Sequence, residues 1–247
     1  MTSTETAVDL TTRAELHRIA NHVLARSQQP STGRIGLRPS PGGFSTIPYG
    51  DDQTRLRISG MWLVHESATA ASARAIWIDG SSLAALADFA GTDLTTDFSA
   101  GGDTPAIGDP DAPIAIHQDS ARDIGHWFDL TAQALDDVIG LNTAWAAPSL
   151  PQLWPEHFDL AIDLAYDPAA PEERRVNLGG SPGDDHHPQP YLYVGPWTPD
   201  RPGSTDFWNA PFGAILSRGE LLASADPVGT AIEFFRTGLR LLGAPAP

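Results

Sequence analysis

Asp184-Asp185-His186-His187 is the run of residues whose types most directly suggest chemistry. Carboxylates and imidazoles together suit a divalent metal such as zinc, manganese or iron. Neighbouring side chains of an extended chain point to opposite sides, so one ion takes Asp184 with His186, or Asp185 with His187. The remaining ligands would come from Glu156, His157 or Asp159. No H-x-H, H-E-x-x-H or facial-triad spacing accompanies them. The alternative reading is a hydrated acidic loop with its histidines at a turn.

Just upstream, Gly179-Gly180-Ser181-Pro182-Gly183 fits G-x-S-x-G, the pattern of a nucleophile elbow. The chemistry fails on one residue. The elbow uses the backbone N–H after the serine in its oxyanion hole, and Pro182 has none. The elbow also opens a helix, whereas DDHHPQP follows. A Gly/Pro loop after a strand is the expected structure.

A second constellation depends on strand pairing. Phe158–Leu164 alternates, with Phe158, Leu160, Ile162 and Leu164 facing one way and Asp159 and Asp163 the other. Arg175 and Asn177 alternate with Val176 and Leu178, and Tyr191 and Tyr193 with Leu192 and Val194. If the three strands pair in chain order, Asp159, Asp163, Arg175, Asn177, Tyr191 and Tyr193 share one face. That face is either the wall of a polar pocket or a solvated surface of cross-strand ion pairs. Trp197, Phe207, Trp208 and Phe212 sit on Gly/Pro-rich loops, where aromatics either cover a ligand or pin the loop to the core.

These features crowd into residues 154–213. W-P-E-H-F-D-L-A (Trp154–Ala161), N-x-G-G-S-P-G-D (Asn177–Asp184) and P-Y-L-Y-V-G-P-W (Pro190–Trp197) resemble a family of proteins from high-GC actinobacteria. The resemblance extends to Gly42–Thr46 and to the final helix, so it covers most of the chain. It implies no activity.

The elements that position these residues are legible in outline. Thr12 and Glu15 form a capping-box pattern ahead of Leu16, Ile19, Ala20, Val23 and Leu24, predicting a helix that ends before Pro30. Short strands are expected at Gly33–Arg38, Gly43–Ile47, Thr54–Ser59, Met61–Glu66 and Arg74–Ile78. A helix capped by Ser81 or Ser82 stops at Gly91. A longer one runs from about Asp119 to Ile139, with Gly140 as its stop, and a loop is expected over 141–156. Ser217 and Glu220 cap a short turn. Asp226 and Pro227 open the last helix, striped by Val228, Ala231, Ile232, Phe235, Leu239 and Leu242. The fold class is α+β, a mostly antiparallel sheet packed by three to four helices. The chain reads as a single globular domain over 1–247, with sub-lobes 1–97 and 113–247 joined by a Gly/Pro/Asp-rich connection at 98–112.

Composition narrows the function. The 247 residues carry 31 acidic and 15 basic side chains, a formal charge of −16. All the basic residues are arginines, so Schiff-base and P-loop lysines are excluded. The acidic balance argues against nucleic acid and anionic membranes; Arg174-Arg175 is the only adjacent basic pair. No cysteine is present, so no disulfide, thiolate nucleophile or iron–sulfur cluster forms. The N-terminus lacks a signal-peptide pattern, and no apolar run approaches the roughly 18 residues of a membrane span. The expectation is a cytoplasmic protein with a small-ligand or divalent-metal pocket in 154–213. As an enzyme it would be a hydrolase or isomerase, with Asp or His as general base and Arg175 holding an anion. The alternative is a non-catalytic interaction or structural protein. The ligand residues expected are Asp159, Asp163, Arg175, Asn177, Tyr191, Tyr193, Trp197 and Trp208.

Overall fold

A computed structural model describes residues 9–141 and 148–244. The described chain is α+β, with two antiparallel sheets of five strands, and it divides into two compact units. The first holds the described residues up to Asp129 together with Gln152–Asp159. The second holds Leu130–Pro151 and the chain from Leu160 onward. Residues 98–112 belong to the first unit. No helix among the described residues is long and apolar enough to cross a membrane.

The first unit opens with α1 (Leu10–Ile19), a π-helical segment (Ala20–Ala25) and α2 (Arg26–Thr32), continuous with one another. The helix does not start at the Thr12 capping box. Asp9 is the cap, accepting from the Thr12 N–H and hydroxyl at 2.8 Å each. Thr12 is fully buried, and its hydroxyl accepts from the His117 N–H instead of capping. Nor does the helix stop before Pro30, which lies inside α2. Near a helix end the missing proline N–H forfeits a single ladder bond. The stop falls instead at left-handed Gly33, directly after Thr32, and the Gly33 N–H reaches the Gln29 carbonyl at 2.8 Å.

The first sheet runs β1 (Arg38–Ser40), β2 (Gly43–Ser45), β3 (Arg55–Ser59), β4 (Trp62–Glu66) and β5 (Arg74–Trp77), in chain order. Of the strand expected at Gly33–Arg38, only Arg38 joins β1 and Leu37 forms an isolated bridge with Leu153. Gln28, buried on α2, takes the Arg34 and Gly36 carbonyls with its side-chain amide, so those acceptors are unavailable to a ladder. Leu56, Ile58 and Leu63 face the core beside Phe44. α3 (Leu83–Ala90) is capped by Ser82 and stopped by Gly91, as its sequence implies. α4 (Gln118–Leu141) runs through Gly140 rather than stopping there. Phe44, Phe128 and Phe158 meet edge-to-face with centroids 5.6–6.2 Å apart.

In the second sheet the order is β10-β9-β8-β7-β6, from β6 (Gln152–Trp154), β7 (Asp159–Ala165), β8 (Arg175–Ser181), β9 (Tyr191–Pro196) and β10 (Ala214–Ser217). β6 falls inside the stretch expected to be loop; residues 142–147 of that stretch lie outside the described chain. Phe158 does not join the β7 alternation, because its φ of 55° sets it in a turn before the strand. Leu160, Ile162, Leu164, Val176, Leu178, Leu192 and Val194 are buried. α5 (Arg218–Leu222) has the Ser217–Glu220 capping box, and α6 (Pro227–Leu241) has the Asp226 cap. Glycines let backbone and helix approach: a Cβ on Gly238 of α6 would stand 2.8 Å from Val194 of β9.

Two glycines of α4 separate propensity from packing. A Cβ on Gly125 would fall 2.7 Å from the Gly42 backbone, whereas one on Gly140 meets nothing within 4 Å. Gly125→Ala should destabilise by about 1–3 kcal/mol through overpacking, and Gly140→Ala should stabilise by about 0.5 kcal/mol. Urea denaturation of both variants measures the contrast.

Candidate functional site

β7, β8 and β9 pair antiparallel in chain order, with Asp163 opposite Asn177 and Gly179 opposite Tyr193. Asp163, Arg175, Asn177 and Tyr193 therefore do share a face, which Trp197 joins. Asp163 and Arg175 are paired with each other, and Asn177 with Trp197. The Arg175 guanidinium closes on the Asp163 carboxylate at 2.7–2.9 Å and also donates to the Pro171 carbonyl at 3.1 Å. The Trp197 indole N–H donates to Asn177 Oδ1 at 3.0 Å, and its ring lies 5.9 Å from the Arg175 guanidinium. Tyr193 covers Gly179 so closely that a Cβ there would be 2.7 Å from the phenol oxygen. The next residue, Gly180, faces the other way against Thr131, where a Cβ would be 2.5 Å from the hydroxyl. The Gly-Gly motif thus makes room on both faces of β8. Gly179, Gly180 and Ser181 lie in β8 instead of in the expected Gly/Pro loop; Ser181 is buried at the end of the strand and no helix follows it.

The Asp184–His187 loop is likewise self-contained. Asp184 Oδ1 accepts from the His186 and His187 N–H groups at 2.8 Å, and its Oδ2 accepts from the Tyr191 hydroxyl at 2.5 Å. His187 Nδ1 lies 2.8 Å from the Gln189 carbonyl. The imidazoles pack on rings, His186 on Phe212 and His187 on Tyr191. Asp185 is exposed. Glu156 and His157 belong to the first unit, while Asp184–His187 belong to the second. Among the described residues, no group of three or more His, Asp or Glu side chains is arranged to hold a metal ion. Asp159 is buried at the beginning of β7.

In the first unit, the Trp154–Phe158 turn is fixed to the opening helix. Asn21 donates to the Pro155 carbonyl at 2.6 Å, and His17 Nε2 lies 3.1 Å from the Glu156 carbonyl. The His17 ring stacks on Phe158 at 5.3 Å. The Glu156 carboxylate lies over Gly101, and His157 bridges it to Asp103 at 3.4 and 3.1 Å. The π segment buries His22, whose Nε2 lies 2.8 Å from the Pro105 carbonyl. Arg26, buried on α2, donates to the Thr96 carbonyl and hydroxyl. Helical periodicity did not announce these buried polar residues; they hold loops 92–105 and 154–158.

The arginine neighbouring Arg175 has a different setting. Arg174, Arg201, Asp200, Tyr166 and Pro202 of the second unit, with Leu241, Leu242 and Gly243 at the end of α6, line a cleft of about 540 Å³. Arg174 is 44% exposed and is held by Asp167 at 3.6 Å and Asp200 at 3.5 Å, both longer than good hydrogen bonds. Arg201 is fixed by carbonyls: those of Thr198 and Asp200 take one terminal nitrogen at 2.7 and 2.8 Å, and that of Phe212 takes the other at 2.8 Å. Its guanidinium lies 5.6 Å from the Trp208 ring, and Trp208 donates to the Pro202 carbonyl at 2.7 Å. None of the hydrogen-bond partners described for Arg201 is a carboxylate. Two arginines and one aspartate line the cleft, and Asp167 is the second carboxylate on Arg174.

Of the ligand and metal candidates named from the sequence, only Trp208 supports this cleft. The adjacent arginine pair and Leu242 of the last helix's stripe were its visible trace; Tyr166 and Arg201 had no local signature. No family model, curated protein or solved structure matches the chain.

The buried histidines make stability depend on pH. Desolvation lowers the pKa of His22 and of His17 below the ordinary 6.5. The unfolded chain then takes up protons first as the pH falls, so this stability is complete above pH 6.5 and declines below it toward the folded values. Gln at position 22 can still donate to the Pro105 carbonyl but does not titrate. Denaturation midpoints between pH 7 and about 5 should fall less in His22→Gln than in the parent.

Proposed function

We propose that the protein binds a small organic carboxylate in the cleft between Tyr166, Arg174, Arg201 and the end of α6. The observation that carries this reading is the contrast between the arginines. Arg175 is neutralised by a bidentate carboxylate. Arg201 is oriented by backbone carbonyls, with no carboxylate among its described hydrogen-bond partners, and Arg174 beside it is held by long, exposed ion pairs. A preorganised guanidinium and a loosely held one suit a ligand carboxylate, which takes paired N–H donors. Exposed ion pairs such as those of Arg174 contribute little to stability, so exchanging them for a ligand costs little. Pro202, Leu241 and Leu242 offer apolar surface for the body of the molecule. The cleft volume lies in the range of small-molecule sites.

The reading displaces the polar sheet face as the ligand wall, because Asp163 is already paired with Arg175 and Asn177 with Trp197. It is a binding function; the cleft contains no nucleophile paired with a base among its lining residues.

A melting screen against simple carboxylates, keto acids and amino acids tests it. At least one should raise the melting temperature by about 2–4 °C at roughly tenfold its Kd. That shift should vanish in the Arg174→Ala/Arg201→Ala double variant. Absence of any shift across the panel, or an equal shift in the double variant, contradicts the proposal.

A further inference from the structure

Resting on the carboxylate reading of the cleft, we infer that its ligand is a zwitterion, an apolar amino acid or dipeptide. Arg174 and Arg201 supply only one of the two signs of charge in the cleft. The other comes from two independent features. Asp200 lines it with a carboxylate. The 15-residue helix α6 also ends there, with Leu241 as its last residue, Leu242 as its cap and Gly243 next. The Gly238, Leu239 and Arg240 carbonyls of that end are taken by the Leu242, Ala244 and Gly243 N–H groups at 3.0–3.1 Å, so the helix end acts through its dipole, whose negative pole stabilises cations placed against it.

The two signs select between ligand classes. A plain carboxylate satisfies the guanidinium groups but faces Asp200 and the helix end with nothing to offer them. A plain amine suits the helix end and meets two arginines. A molecule with an ammonium and a carboxylate completes both, and its apolar side chain has Pro202, Leu241 and Leu242 to lie against. Asp200 then exchanges one partner for another: its carboxylate, 3.5 Å from Arg174 in the free protein, turns to the ligand ammonium as Arg174 turns to the ligand carboxylate. Charge balance in the cleft is the same before and after binding. The volume of about 540 Å³ accommodates a dipeptide as readily as a single residue.

Isothermal titration of the full chain with four probes tests the inference: L-phenylalanine, the dipeptide Leu-Phe, N-acetyl-L-phenylalanine and L-phenylalaninamide. At least one zwitterion should bind roughly tenfold or more tightly than both singly charged analogues, the worth of one charge-assisted contact. Asp200→Asn should erase that preference while keeping affinity for N-acetyl-L-phenylalanine. Arg174→Ala should weaken the zwitterion and the acetylated acid alike, with the melting temperature of each unliganded variant as the control for folding. If the acetylated acid binds as well as the zwitterions, the inference is overturned and the carboxylate reading stands. If no carboxylate binds, both fall. A zwitterion preference that survives Asp200→Asn assigns the ammonium elsewhere and also overturns it.

Discussion

The ion pair between Asp163 and Arg175 decides what the surrounding residues are free to do. Three contacts of 2.7–2.9 Å bind the guanidinium to the carboxylate across β7 and β8. Because side chains of an extended chain alternate, fixing Arg175 on the face of Asp163 sends Arg174 to the other side. The Tyr166 N–H to the Arg174 carbonyl, at 2.9 Å, holds that residue in line with the sheet. Two arginines adjacent in the chain thus acquire different physical characters. One is neutralised and structural; the other stands half-exposed beside a second cation whose geometry is set by backbone carbonyls.

The same distinction runs through the other polar groups. Asp184 has both oxygens engaged by its own loop and by Tyr191, so the carboxylate orders the loop instead of presenting a ligand. Asn21, His22, Arg26 and Gln28 are buried on one helical stretch and bind the carbonyls of the loops packed against it. Burying such groups is costly unless they are paired, and the pairing specifies where each loop goes.

Much of the fold was legible in the sequence because it rests on local rules. Ser82, Ser217 and Asp226 cap the helices they were expected to cap, and β7, β8 and β9 pair in chain order. Local rules failed where a distant partner outcompeted them. Thr12 is claimed by His117, so Asp9 caps α1; Gln28 claims the carbonyls of the expected first strand; and Pro30, close to a helix end, costs too little to stop α2. The candidate site was legible only as a face. Alternation correctly grouped Asp163, Arg175, Asn177 and Tyr193, but could not say that Arg175 would close on Asp163 and Asn177 on Trp197. The cleft unites Tyr166, Arg174, Arg201 and Leu241, which are far apart in the chain and share no pattern.

The central claim is that Arg174 and Arg201, and not Arg175, meet the ligand. Arginine Nε–H resonances report each guanidinium separately. In a titration with L-phenylalanine followed by nitrogen-15 NMR, the Arg174 and Arg201 Nε–H signals and the Gly243 amide should move together and saturate at one Kd, while the Arg175 Nε–H stays in place on Asp163. Movement of the Arg175 signal with Arg174 and Arg201 unmoved would return the site to the polar sheet face and contradict the account.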